Sequence, residues 1–248
     1  MIDLLLLAAL AGDPERVEWT VDGTMREALV AVGSAENPPL VFAFHGHGGT
    51  MCHSARSFAL EKQWPEAVVV YPQGLPTPGR LSDPEGRKPG WQHGIGEQGD
   101  RDLKFFDAML ATIKQKHRID PKRVYATGHS NGGQFSYLLA GARREALAAI
   151  APSGAAGGGF VKEPIPLFHI AGENDPLVRY AAQKRSIETL RALNGCDAAG
   201  QDGGAPGCTL YPSSKGAPVL VFVHDQEHAF PREAPALIVR FLKSQSRP

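Results

Sequence analysis

A serine with a glycine two positions away on each side, Gly128-His129-Ser130-Asn131-Gly132, is the densest chemical signal in this chain. It follows the β-formers Val124, Tyr125 and Thr127 and precedes an apolar-periodic segment carrying Phe135, Leu138 and Leu139. That order predicts a strand, a sharp turn over Ser130 and a helix, with glycines where a Cβ would crowd the turn. The first helical N–H, that of Asn131, then points at whatever Ser130 attacks, from the positive end of a helix dipole. A serine hydroxyl is inert at neutral pH until an imidazole takes its proton, so Ser130 implies a histidine and a carboxylate to orient it. Asp175, just past the expected strand 167–171, and His228, a few residues past the expected strand 218–223, are of those types and occur in the order Ser, Asp, His. His224 lies nearer the strand end. His228 is preferred because such a base sits on a loop reaching back over the sheet.

His45-Gly46-His47-Gly48-Gly49 follows the apolar run 40–44 and has two readings. As an oxyanion loop, its glycines let main-chain N–H groups, that of His47 foremost, face the same point as the Asn131 N–H. As a His-x-His metal pair, His45 and His47 need further ligands, for which His53 and His93 are nearest. The metal reading leaves the serine turn unexplained.

The elements that must position these groups alternate strand and helix. Residues 15–21 and 25–32 alternate in the strand period around Asp22-Gly23, an antiparallel hairpin. Run 40–44 is continuous and apolar, as in a strand buried on both faces, 67–71 reads as another buried strand, and 147–151, 167–171 and 218–223 read as further strands. Helices are expected over 54–63, from a cap at Asp102 through Leu103, Phe106, Leu110 and Ile113, over 178–193, and over 236–242. Residues 73–100, dense in Gly, Pro and charge, form a functional surface loop. This pattern predicts a mostly parallel central sheet with helices on both faces, with the functional groups at the carboxyl ends of its strands.

The 248 residues suffice for one α/β domain over 12–248. Lys plus Arg equals Asp plus Glu at 26 each, which leaves no global field for nucleic acid or an anionic membrane and suits a neutral substrate. Residues 1–11 are too short to span a bilayer but have the length of a signal-peptide core, so secretion or export to a periplasm is expected, with cleavage near Ala11; the alternative is an apolar first strand in a cytoplasmic protein. Cys196 and Cys208 bracket a Gly-, Ala- and Asp-rich stretch that lacks an apolar period, and a bond between them is expected, stabilising by roughly 3 kcal/mol in the chain-entropy model. Cys52 is then the odd thiol, expected to be small and buried.

With those residues in hand, the chain resembles the secreted esterase family that groups polyhydroxybutyrate depolymerases with feruloyl and acetyl xylan esterases, within the α/β-hydrolase superfamily. The resemblance rests on residues 40–49, Tyr71-Pro72-Gln73-Gly74, Trp91, and Ile119 to Tyr125 leading into the Ser130 turn. It continues through residues 172–178, Asn194-Gly195-Cys196, Gly207-Cys208 and His228-Ala229-Phe230-Pro231. It departs at Phe230, where the family has tryptophan, and at Asp225, Gln226 and Glu227, where it has glycines. The resemblance implies an α/β-hydrolase fold and hydrolysis of small or oligomeric carboxylic esters through an acyl-serine, without metal or cofactor. It also implies that Trp91, His129 and Phe230 contact substrate. The lack of a polymer-binding module favours soluble esters or oligomers over solid polymer. Two alternatives are a catalytically inactive binding protein on the same fold and a metal-dependent hydrolase built on His45 and His47.

Overall fold

Asp22 and Gly23 both take positive φ, 49° and 76°, and turn β1 (Glu15–Val21) back onto β2 (Thr24–Ala31) with the twist an antiparallel pair requires. The computed structural model describes residues 12–79 and 83–248, so the candidate leader over 1–11 lies outside the described residues. From β2 the chain enters β3 (Leu40–Phe44), β4 (Val68–Pro72), the short pair β5 (Leu75–Pro76) and β6 (Pro89–Gly90), then β7 (Val124–His129), β8 (Ala149–Ser153) and β9 (Leu167–Gly172). The last strands are β10 (Gln201–Asp202), β11 (Cys208–Tyr211) and β12 (Val219–His224). Ten of these form one sheet in the order β1-β2-β4-β3-β7-β8-β9-β12-β11-β10. The six strands from β4 to β12 are mutually parallel, and antiparallel strands flank them on both edges.

Helices cover both faces. Leu40, Phe42 and Phe44 point to the cluster shared with α3 (Arg101–His117), α4 (Asn131–Ala142) and α5 (Tyr180–Leu193). Val41 and Ala43 point to the opposite cluster, covered by α1 (Met51–Phe58), α2 (Leu60–Gln63) and α6 (Ala234–Lys243). Both faces of the central strands are therefore dry, which is why they read as unbroken apolar runs. This is an α/β-hydrolase fold, a mostly parallel sheet with helices on both faces and an N-terminal antiparallel hairpin.

Four expectations need correction. The helix expected over 54–63 starts earlier, capped by the Thr50 side chain on the His53 N–H, and breaks at Ala59, whose φ of 41° is left-handed. Asp102 does not cap α3. The cap is Gln92, whose Oε1 accepts the N–H groups of Asp102 and Leu103, while the Asp102 carboxylate is buried against Arg26 at 2.8 Å and the Gln92 N–H at 2.8 Å. This polar knot pins the segment around Gln92 to β2 through Arg26.

The remaining two concern cysteines. No bond joins Cys196 to Cys208, and all three cysteines are free. Residues 201–211 form the β10–β11 hairpin on the edge of the sheet, where Cys208 packs into the α1/α6 face, whereas Cys196 packs against the α3–α5 face. Cys196 pairs with Ser213, five residues past Cys208 and roughly 15 Å along an extended chain, far beyond the reach of a disulfide. Cys52 is exposed on α1, not buried.

Candidate active site

At the carboxyl end of β7 the chain turns through Ser130 with φ 57° and ψ −120°, a strained conformation for any residue with a side chain. Two glycines make this turn sterically feasible. A Cβ on Gly128 would lie 2.4 Å from the Gly132 carbonyl carbon, and one on Gly132 would lie 2.2 Å from the Phe44 oxygen. The elbow therefore packs main chain on main chain, against itself and against the end of β3. Ser130 donates its N–H to Ser153 O at 2.8 Å and accepts from the Gln134 N–H at 2.9 Å, so its backbone is anchored on both sides.

Asp175 follows β9, one strand beyond β8 in the sheet. Its Oδ1 accepts the N–H groups of Leu177 and Val178, each at 2.8 Å, so the Asn-Asp-Pro turn orients the carboxylate as well as reversing the chain. Its Oδ2 lies 2.7 Å from His228 Nδ1, and His228 Nε2 lies 2.8 Å from Ser130 Oγ. A carboxylate only accepts, so Nδ1 carries the proton and Nε2 is the acceptor facing the serine hydroxyl. The structure brings Ser130, Asp175 and His228 into one hydrogen-bonded line across separations of 98 and 53 residues. It does not bring His224 there: that ring is buried at the end of β12 beside Phe222, and its Nδ1 has no partner.

The loop after β3 crosses directly over the elbow, and a Cβ on Gly46 would touch Ser130 Cβ at 3.5 Å. His45 is fully built into this loop. Its Nδ1 donates to Gly46 O at 2.7 Å and its Nε2 accepts the Gly74 N–H at 2.9 Å, while burial pushes its pKa down to about 4. Both ring nitrogens are committed, and His47 Nε2 lies 2.8 Å from Thr77 O, so the His-x-His pair does not present two free nitrogens to a common point. Among the described residues no group of three or more His, Cys, Asp or Glu is placed to hold a metal ion. His47 and Asn131 both line the cleft over Ser130. Asn131 is the first residue of α4, and its side chain clasps the Trp91 main chain, accepting the N–H at 2.7 Å and donating to the carbonyl at 3.1 Å.

Trp91 does not contact the cleft, contrary to expectation. It is 0 % exposed, stacked on Phe135, edge-on to Phe44, and donates its indole N–H to His45 O at 2.8 Å. Its size and indole donor fasten the chain at Trp91 against the His45 loop, a packing role that a lone aromatic in a long loop does not reveal from sequence. His129 and Phe230 do line the cleft. His129 lies against the His228 ring at 4.8 Å, and burial together with that neighbour pushes its pKa down to about 3, so it is neutral there. Phe230 meets Phe58 edge-on at 4.3 Å to form an apolar wall.

The cleft holds about 510 Å³. Phe58, Phe230, Leu177 and Val178 give the wall apolar surface and His47, His93 and Gln134 give it polar groups; among the described residues it has no Lys, Arg, Asp or Glu. Sequence reading passes over Gln183, which donates to Asp175 Oδ2 at 3.2 Å from α5. The signal exists: Gln183, Ile187 and Leu190 share the buried face of that helix, and a polar residue on an apolar stripe needs a polar partner.

No family model matches the chain. Among curated proteins it is 29% identical over 199 residues to a probable feruloyl esterase C of Aspergillus flavus, covering 76% of this chain and 69% of that protein. It is 31% identical over 97 residues to a bifunctional acetylxylan esterase/xylanase of Neocallimastix patriciarum, covering 38% of this chain and 14% of that larger protein. Among solved structures, an S-formylglutathione hydrolase from Agrobacterium tumefaciens superposes with a TM-score of 0.68 at 14% identity, covering 95% of this chain and 96% of that one, a likeness of fold.

Proposed function

We propose that the chain, which is similar to feruloyl and acetylxylan esterases and has an α/β-hydrolase fold, is a serine carboxylic-ester hydrolase that works through an acyl-serine. The observation that carries this reading is the Asp175–His228–Ser130 line opening on an uncharged cleft. In the first half-reaction Ser130 Oγ attacks the ester carbonyl as its proton passes to His228 Nε2, and Asp175 offsets the charge on the ring. The N–H groups of Asn131 and His47 receive the developing oxyanion. The alcohol leaves with the proton from His228. Water then repeats the sequence on the acyl-serine, releasing the acid and restoring the hydroxyl. The substrate is a neutral feruloyl or acetyl ester, or a hydroxybutyrate oligomer, with its acyl group against Phe58 and Phe230.

A phosphonate ester should label Ser130 alone, and Ser130→Ala should abolish turnover of methyl ferulate, acetylated xylan oligomers and hydroxybutyrate oligomers while the fold persists. A folded Ser130→Ala protein with undiminished activity would remove the mechanism, and a wild-type protein that binds these esters without turnover would favour the binding-protein alternative. Among the described residues no helix is long and apolar enough to cross a membrane. Export by cleavage near Ala11 is part of this proposal, supported by the composition of residues 1–11 alone now that the thiols are free. N-terminal sequencing of exported protein checks it.

A further inference from the structure

From Asp175 a file of polar side chains runs into the core, meeting the carboxylate at Oδ2, the oxygen that His228 also contacts. Tyr137 Oη lies 2.7 Å from His169 Nδ1, His169 Nε2 lies 3.3 Å from Gln183 Oε1, and Gln183 Nε2 lies 3.2 Å from Asp175 Oδ2 and 2.7 Å from Val178 O. Tyr137, His169 and Gln183 are each 0 % exposed, so water does not substitute for any partner. They come from three different elements, α4, β9 and α5.

The direction of every hydrogen bond in this file is dictated from one end. Asp175 Oδ2 and Val178 O are both acceptors, so the end of Gln183 that faces them must be its NH2 group. Its Oε1 must then face His169 and accept, which puts the imidazole proton on Nε2 and leaves Nδ1 as an acceptor for the Tyr137 hydroxyl. The opposite His169 tautomer would turn the Gln183 amide over and set Oε1 against a carboxylate and a carbonyl. Burial keeps the His169 ring neutral, with its pKa pushed down to about 4, and holds the Tyr137 phenol far above its usual range, so both groups keep the protons this arrangement needs.

We propose that Tyr137, His169 and Gln183 are positioning residues of the active site, a one-way hydrogen-bond file that fixes the Asp175 carboxylate toward His228. The file also joins the two halves of the site. Tyr137 stands on α4, the helix that starts directly after Ser130, so the nucleophile and the acid are referenced to one another through the core as well as through His228. This inference rests on the serine-hydrolase reading, in which Asp175 orients the base.

The test is a double-mutant cycle on p-nitrophenyl acetate hydrolysis, with folding checked by circular dichroism. Gln183→Met should lower kcat on the order of 10- to 100-fold, the worth of a hydrogen bond to a charged group, with KM unchanged. In an Asp175→Asn background the same change should cost less than about twofold, because the residue acts only through the carboxylate. His169→Gln, which keeps an N–H near the Nε2 position, should retain most of the activity that His169→Leu loses. If Gln183→Met does not fold, Tyr137→Phe takes its place in the cycle, with a smaller loss and the same disappearance in the Asp175→Asn background. A loss that persists undiminished in that background, or a folded Gln183→Met enzyme at wild-type kcat, overturns the inference. An Asp175→Asn enzyme at wild-type kcat would instead overturn the serine-hydrolase reading beneath it.

Discussion

Ser130 follows β7 and Asp175 follows β9, with one strand between them, and the two are held by opposite means. The serine half is fixed by missing atoms, since Gly128 and Gly132 let main chain pack on main chain at distances where a Cβ would collide. The acid–base half is fixed by added atoms, four donors converging on the Asp175 carboxylate from Leu177, Val178, Gln183 and His228. A steric clamp tolerates no addition and a polar clamp no subtraction. The difference decides which substitutions are harmful in each half.

The largest effect is expected from subtraction at the polar half. His228→Ala should lower turnover by about 10⁵-fold, since triad members act as a unit, and stopped assays on ferulate or acetate esters would measure it. Addition at the steric half comes next. Gly132→Ala drives a methyl group into the Phe44 oxygen, and because the elbow cannot yield without moving Ser130, about 100-fold in kcat should be lost along with about 1–3 kcal/mol of stability. A Gly132→Ala enzyme with normal turnover would show that the elbow is looser than its contacts imply.

Acid should strain both halves through three buried neutral rings. His45, His129 and His169 have folded pKa values pushed down by burial to about 4, 3 and 4. An unfolded histidine takes up its proton near pH 6.5, so between there and about pH 4 the unfolded chain binds more protons than the folded one. Their contribution is intact above pH 6.5 and is lost as the pH falls, by up to about 1.4 kcal/mol per pH unit for each ring. Urea titrations at stepped pH should show this, and His169→Gln should reduce the slope by about one proton. The smallest effect is expected at His224, whose buried Nδ1 has no partner: His224→Leu should leave kcat unchanged and shift stability by less than about 1 kcal/mol. A dead, folded His224→Leu protein would reassign the base.

The steric half was the more legible in sequence. Glycine is conspicuous and local, and the Ser130 turn, its flanking strand and its helix are contiguous, so pattern alone places them. The parallel strands were legible for a similar reason, because burial on both faces leaves an unbroken apolar run. Polar groups that meet across the fold leave fainter traces. Gln183 and His169 appear only as polar letters within apolar stretches, and nothing in their spacing names the partner. Trp91 was misplaced because its loop reads as surface, whereas Gln92, Asp102 and Arg26 fold it onto the sheet. The Cys196–Cys208 pairing failed because proximity in sequence does not report which face of a sheet a residue occupies, and the β10–β11 hairpin puts the two thiols on opposite faces.

The crossover topology also sets when the chemistry is switched on during folding. Contacts between adjacent strands such as β3 and β7 must wait for long loops to close, and the Ser130–His228 contact closes 98 residues. Loops of this length form late and slowly. Helices and local hairpins can be present in a collapsed chain that has no aligned Ser130, His228 and Asp175, so ester turnover reports the final stage of assembly. In refolding from urea, recovery of turnover should trail recovery of helical circular dichroism, and no fragment that stops before β12 can hydrolyse by this route, however well its elbow forms.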